Sequence, residues 1–253
     1  MPTTRSQVKA VAFDLFDTLI TVPHLDPHEA QHRLIRCLRE QGVPVEAPAF
    51  LPVYRDAVAQ HRAAALAEGR ETHNRFWIST ALHSLGHPVA PDDPRIERTI
   101  EAYFSAFLEH AVLLPDTLEM LAALRPRYRL ALLSNFTHGP AVRAILAHLG
   151  LTPLLEVVVI SGEVGYRKPH RRVFDELRMH LRLAPDQIAF IGDDLEADVR
   201  GAHGAGLWPV WTTYARAYKA SGVPQPSTPD GELPDTAYTI ACWDDLLRWL
   251  ENV

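Results

Sequence analysis

From Leu114 onward the chain alternates short apolar runs with helical segments. YRLALLSN reads as a strand, GPAVRAILAHLG as a helix ending at Gly150, and LLEVVVISG as a strand. PHRRVFDELRMHLRL reads as a helix, QIAFIGD as a strand, LEADVRGAHGAG as a helix and LWPVWTT as a strand. PDTLEMLAALRPR is helical ahead of them, with Pro115 placed to start it, and TAYTI and CWDDLLRWLENV close the chain with a strand and a helix. Near the other end, Val8–Phe13 is a short, mostly apolar run of the same kind. Strands alternating with helices predict an α/β fold, a parallel sheet covered on both faces. Ligands of such sheets bind beyond the carboxyl ends of the strands.

The text between about Pro27 and His110 is different. It is rich in Ala, Leu, Arg and His, and its apolar spacing predicts helices over Ala30–Gln41, Pro48–Glu68, His73–Leu85 and Pro94–His110. Gly42, Gly69 and the HPVAPDDP stretch after Gly86 punctuate them. No strand pattern occurs there, so this block reads as an all-helical insert. Thr213–Asp235 reads as a loop containing Pro and Gly.

Composition excludes several classes of function. The 253 residues carry a formal net charge of −6 without a basic run, which argues against nucleic-acid binding. Cys37 and Cys242 are the two cysteines and lie far apart, so neither a zinc site nor a disulfide framework is expected and a reducing cytoplasm fits. Residues 1–10 lack the apolar region of a secretory signal, and no stretch approaches the ~18 apolar residues of a membrane span.

The predicted strand ends gather the chemistry. Asp14 follows the first strand, Ser134 and Asn135 follow LALL, Lys168 lies in the loop after VVVIS, and Asp193 and Asp194 follow IAFIG with Asp198 beyond. In a parallel sheet these carboxylates, one ammonium and one hydroxyl meet at one edge, as a metal-assisted displacement on an anionic substrate requires. The order and spacing of DLFDTL, LLSN, GYRKPHRRVF and IGDDLEADVRGAHGAG resemble the four motifs of the haloacid dehalogenase superfamily, and LLPDTLEMLAAL resembles its re-entry into the core after a helical cap. The resemblance runs from Val8 to Leu250. It implies a Rossmann-like α/β core of residues 1–21 and 114–253 with an all-helical cap at 22–113. It implies Asp14 as nucleophile, Ser134 holding substrate oxygens and Lys168 neutralising charge. Mg²⁺ would sit on Asp14, the main-chain carbonyl of Phe16 and Asp193, with Asp194 and Asp198 as further or water-mediated partners. Phe16, Thr18 and Asn135 are expected beside the substrate, a small anionic molecule. A monomer or homodimer is expected.

Phe16 departs from the pattern. Most phosphatases of the superfamily carry an aspartate two residues after the nucleophile to protonate the leaving oxygen. Phe16 cannot, and if the segment stays extended Asp17 points elsewhere. A non-acidic residue here also resembles the 2-haloacid dehalogenases, which use no metal. That branch expects small neutral residues at Asp193 and Asp194, a tyrosine where Phe174 stands, and a cap arginine for which Arg55 is a candidate. Phosphonoacetaldehyde hydrolase needs a cap lysine, and residues 22–113 contain none. Charge orders the remainder: several carboxylates beside one lysine raise one another's pKa unless a hard dication joins them. Mg²⁺-dependent hydrolysis of a small phosphomonoester is therefore the leading expectation. Metal-independent dehalogenation comes second, and a binding protein that has lost turnover third.

Other features read as structural. His28 and His32 have metal-compatible helical spacing but no third partner, and Trp208 and Trp211 read as packing. His138 follows the second motif closely, and Tyr214, Arg216 and Tyr218 lie near a strand end, so for these four contact with the site stands as the alternative to a surface role.

Overall fold

Ala10–Phe13 forms β1, and all four residues are buried. In the computed structural model, which describes residues 8–26, 28–218 and 233–252, β1 is the centre of a six-stranded sheet. The remaining strands of that sheet are β4 (Arg129–Ser134), β5 (Val157–Ile160), β6 (Ile188–Gly192), β7 (Trp208–Thr212) and β8 (Tyr238–Ile240), in the order β5-β4-β1-β6-β7-β8. Every pairing is parallel, with Ala12 opposite Ala131 on one side and Phe190 on the other. The order reverses direction at β1, which makes the carboxyl ends of β1, β4 and β6 the expected ligand crevice.

Side chains alternate across the sheet. Val11 and Phe13 join one apolar core with Leu132 and Ile191, while Ala10 and Ala12 join the opposite one with Leu133 and Phe190. The first core is closed by α5 (Thr117–Leu124), α6 (Gly139–His148) and α11 (Trp243–Glu251), through Leu121, Ile145 and Leu246. The second is closed by α8 (Arg171–Leu181) and α9 (Gly201–Ala205), with Val173, Phe174, Leu177 and Leu181 on one helical face. Two short helices, α7 (Ser161–Val164) and α10 (Tyr214–Tyr218), follow β5 and β7. This is the α/β core that the alternating pattern predicts, with the Rossmann-like topology that the resemblance implies.

The insert folds as α1 (Glu29–Glu40), α2 (Ala47–Ala67), α3 (Asn74–Ser84) and α4 (Pro94–His110). Its apolar interior is separate from the two under the sheet and is built from Leu34, Leu38, Phe50, Ile78, Ile96 and their neighbours. The start of α4 is written in its sequence. Pro94 needs no amide partner at the first helical position, and the Asp93 carboxylate accepts from Arg95 N at 2.8 Å. Phe107 and Phe136 pack on both the insert's interior and the first sheet core, so they join the two.

Four features depart from the sequence reading. β2 (Ile20–Thr21) and β3 (Val112–Leu113) pair antiparallel at the root of the insert, so the span 22–113 is not wholly helical. The strand expected over LLEVVVISG is limited to Val157–Ile160, because Ser161 already begins α7. LEADVRGAHGAG opens with a π-helical turn, Leu195–Arg200, before α9. The loop expected over Thr213–Asp235 contains α10 at its start, and residues 219–232 of it lie outside the described residues. Among the described residues no helix is long and apolar enough to cross a membrane.

Candidate active site

Asp14 is fixed where β1 ends, its amide donating to the Ile191 carbonyl at 2.9 Å. The chain then leaves the sheet in a tight turn. Leu19 N and Ile20 N both reach back to the Leu15 carbonyl, and Asp17 N donates to Ile20 O at 2.6 Å. Asp17 adopts φ +56°, in the left-handed region. Because the segment turns instead of continuing extended, Asp17 lines the same cleft as Asp14. Thr21 Oγ1 donates to Asp17 Oδ1 at 3.0 Å and steadies that carboxylate.

Lys168 comes from the loop after α7 and is almost wholly buried, at 3% exposure. Its ammonium lies 2.5 Å from Asp14 Oδ1, 2.6 Å from Asp198 Oδ1 and 3.0 Å from the Leu133 carbonyl. Burial works against its charge, but Asp14 and Asp198 outweigh that and hold its pKa above the ordinary lysine value. Asn135 fixes the backbone behind it. Its Oδ1 accepts from Lys168 N at 2.8 Å and its Nδ2 donates to Lys168 O at 3.0 Å. The Asn135 side chain, expected beside the substrate, is thus committed to positioning Lys168.

The end of β6 supplies the remaining acids. Asp194 caps the π-helical turn, accepting from Glu196 N at 2.9 Å and Ala197 N at 2.8 Å. Asp198 lies one turn on and is buried, its Oδ2 accepting from Asp194 N at 3.0 Å. Gly192 makes room for it, since a Cβ there would collide with the Asp198 carboxylate. Oxygens of Asp14, Asp193 and Asp198 all lie within 4.8 Å of one another. Burial, then the carboxylates of Asp198, Asp14 and Asp17, push the Asp193 pKa well above its usual range. Burial and Asp14 raise Asp198 likewise, against the pull of Lys168. Three converging carboxylates, two of them reluctant to ionise, are a set of hard oxygen donors short of positive charge. That donor set fits Mg²⁺.

The whole forms a cleft of about 210 Å³ lined by Asp14, Phe16, Asp17, Ser134, Asn135, Arg167, Lys168, Asp193, Asp194, Ala197 and Asp198. Phe16 forms an aromatic wall, its ring stacked at 5.2 Å on Phe136 and edge-on to Phe107 of α4. Thr18, expected at the substrate, is fully buried and does not line the cleft. His138 lies elsewhere: it is buried, stacks on Phe104 and lines a separate cavity of about 290 Å³ with His73, Arg75 and Glu97. Arg55 is exposed on α2, and neither it nor Tyr214, Arg216 or Tyr218 lines the cleft. Trp211 does more than pack, since its indole donates to the Asp193 carbonyl at 3.0 Å. Two cleft residues lie outside the expected set: Asp17, which an extended segment would turn away, and Arg167, which the sequence reading passed over. Adjacency of Arg167 to Lys168 was the one available signal.

Comparison with known proteins agrees with this fold. A family model described as haloacid dehalogenase-like hydrolase matches residues 8–206. A glyceraldehyde 3-phosphate phosphatase of Methanopyrus kandleri is 28% identical over 79% of this chain and 82% of its own. A ribulose-1,5-bisphosphate 5-phosphatase of Halopiger xanaduensis is 31% identical over 78% of this chain and 82% of its own. Among solved structures, a 2-haloacid dehalogenase from Pseudomonas syringae superposes with a TM-score of 0.66 at 22% identity, covering 97% of this chain and 99% of that one.

Proposed function

The chain belongs to the haloacid dehalogenase-like hydrolase family, and from that premise we propose that it is a Mg²⁺-dependent phosphatase of small phosphomonoesters. The observation that carries the reading is the convergence of Asp14, Asp193 and Asp198 beside a buried Lys168. The metal-independent dehalogenases match this chain at Asp198 but expect small neutral residues at Asp193 and Asp194, whose charges without a metal would only weaken the nucleophile. The phosphatase names of the two sequence relatives point the same way. The cleft, at about 210 Å³, lies below the ~300 Å³ at which drug-sized ligand pockets begin and suits a small substrate.

Asp14, the Phe16 carbonyl and Asp193 would hold the metal, with Asp198 and Asp194 behind them. Bound there, Mg²⁺ would neutralise the crowded acids and polarise the phosphoryl oxygens. Lys168 holds the Asp14 carboxylate in place and offsets the charge that gathers when a phosphate approaches it. An Asp14 oxygen attacks phosphorus, the bond from phosphorus to the alcohol oxygen breaks, and the alkoxide takes up a proton. Water then attacks the aspartyl phosphate, releasing phosphate and regenerating Asp14. Ser134, buried at the tip of β4 and lining the cleft, would donate to the phosphoryl oxygens during both steps.

The test is hydrolysis of p-nitrophenyl phosphate with Mg²⁺ and with EDTA, alongside halide release from 2-chloropropionate. Phosphate release lost in EDTA and in Asp14→Asn supports the reading. Halide release indifferent to EDTA would replace it with dehalogenation.

A further inference from the structure

Among the described residues the cleft is lined by five carboxylates and two cations, and the cations are in different states. Lys168 is spent on Asp14, Asp198 and the Leu133 carbonyl. Arg167 lines the cleft with its side chain 21% exposed, and it pairs with none of the five acids. Its one partner among the described residues is Glu71, in the loop between α2 and α3, through a long Nη1 to Oε1 contact of 3.4 Å. Glu71, buried at 2% side-chain exposure, has other partners besides: Ser161 Oγ donates to Oε2 at 2.6 Å, and Thr72 N donates to Oε1 at 3.0 Å. A guanidinium has five N–H donors in a planar fork, and here the fork is mostly free.

The backbone beneath it is fixed. Arg167 N donates to Gly69 O at 3.1 Å, and Lys168 N is held by Asn135. Gly69, at φ +64°, permits this approach, since a Cβ there would meet the His170 ring. Arg167 is therefore a preorganised cation beside the nucleophile, and it is not consumed by it. Such a fork matches a carboxylate or a phosphate bidentately.

Resting on the phosphatase reading above, we propose that Arg167 is a specificity-determining residue that binds a second anionic group of the substrate. The preferred substrates are then phosphomonoesters that carry a carboxylate or a second phosphate close to the scissile ester. Glu71 holds the guanidinium through its one long contact until that group arrives and competes for it.

The experiment compares kcat/KM, with Mg²⁺, within two pairs: 3-phosphoglycerate against glycerol 3-phosphate, and fructose 1,6-bisphosphate against fructose 6-phosphate. The first pair reads a carboxylate and the second a phosphate. Wild type is expected to favour the more anionic member of at least one pair by about 10- to 100-fold, the worth of charge-assisted hydrogen bonds. Arg167→Met should collapse that ratio towards one, mainly through KM, and Arg167→Lys should keep part of it. Should Arg167→Met fail to fold, with Glu71 left buried and unpaired, the double variant Arg167→Gln, Glu71→Gln removes both charges and must lose the ratio too. The proposal falls if wild type hydrolyses phosphate esters without this preference. It falls equally if Arg167→Met and the double variant slow both members of a pair alike, which would place Arg167 on the transferring phosphate or in the fold. Absence of any hydrolysis, p-nitrophenyl phosphate included, would instead overturn the phosphatase reading and the proposal with it.

Discussion

In the proposed reaction a proton has to reach the departing alkoxide, and Phe16 cannot carry it. Its two aromatic contacts, each worth about 0.5–1.5 kcal/mol, make it part of the join between the insert and the sheet. The carboxyl that faces the cleft instead is Asp17. Asp17→Asn is expected to lower kcat by about 10²- to 10⁴-fold on alkyl phosphates and far less on p-nitrophenyl phosphate, whose leaving group needs no proton. Steady-state rates on the two substrates check this, and equal losses would place Asp17 in the fold alone. The missing acid at Phe16 is legible in the sequence, but its replacement is not. Period-two alternation carried past Asp14 turns Asp17 away, whereas the chain bends at that residue with φ +56°. Gly192 carries a prediction of the same scale. Gly192→Ala would push Asp198 off Lys168, and a lower kcat with an intact circular dichroism spectrum is the expected outcome.

Among the elements, the four insert helices and the parallel strands are readable because their apolar periods are strong: Ile96, Ile100 and Phe104 recur every four residues along α4, and β1 is buried on both faces. The β2–β3 ribbon is two residues to a side and 91 positions apart in sequence between Thr21 and Val112, so no local signal announces it. The π-helical turn is equally silent, because Asp194 and Asp198 fit an ordinary helix start as well. Its cap is the testable part. Asp194→Ala removes the acceptor for two amides and should cost about 1 kcal/mol of stability, read as a lower midpoint in urea. The same change should raise KM for Mg²⁺, since losing the cap loosens the turn whose residue 194 amide, kept in alanine, holds Asp198.

For the whole molecule, stability and ligand binding are linked through the acids at the sheet edge. Mg²⁺ at ~100 times its Kd should raise the melting temperature by about 5–10 °C. The shift should be larger at pH 8 than at pH 5.5, because Asp193 and Asp198 have raised pKa values and protons compete for the same oxygens. Differential scanning fluorimetry with and without EDTA checks both, and Asp193→Asn should abolish most of the shift. The seam between insert and sheet has the opposite pH response to the metal-free acids. Burial, with Arg75 and His138 adding to it, lowers the His73 pKa from 6.5 to about 4. The unfolded chain therefore binds the extra proton first. Stability from this group is complete above pH 6.5 and is lost as pH falls towards 4. His73→Asn keeps an acceptor for Arg75 N and should flatten the melting curve between pH 7 and pH 5. The β2–β3 ribbon has a different consequence. Because Thr21 and Val112 face each other across it, the two ends of everything between them meet at one place. A short linker could close that gap, or a foreign helical module could be transplanted into it, while the sheet and its row of acids stay as they are.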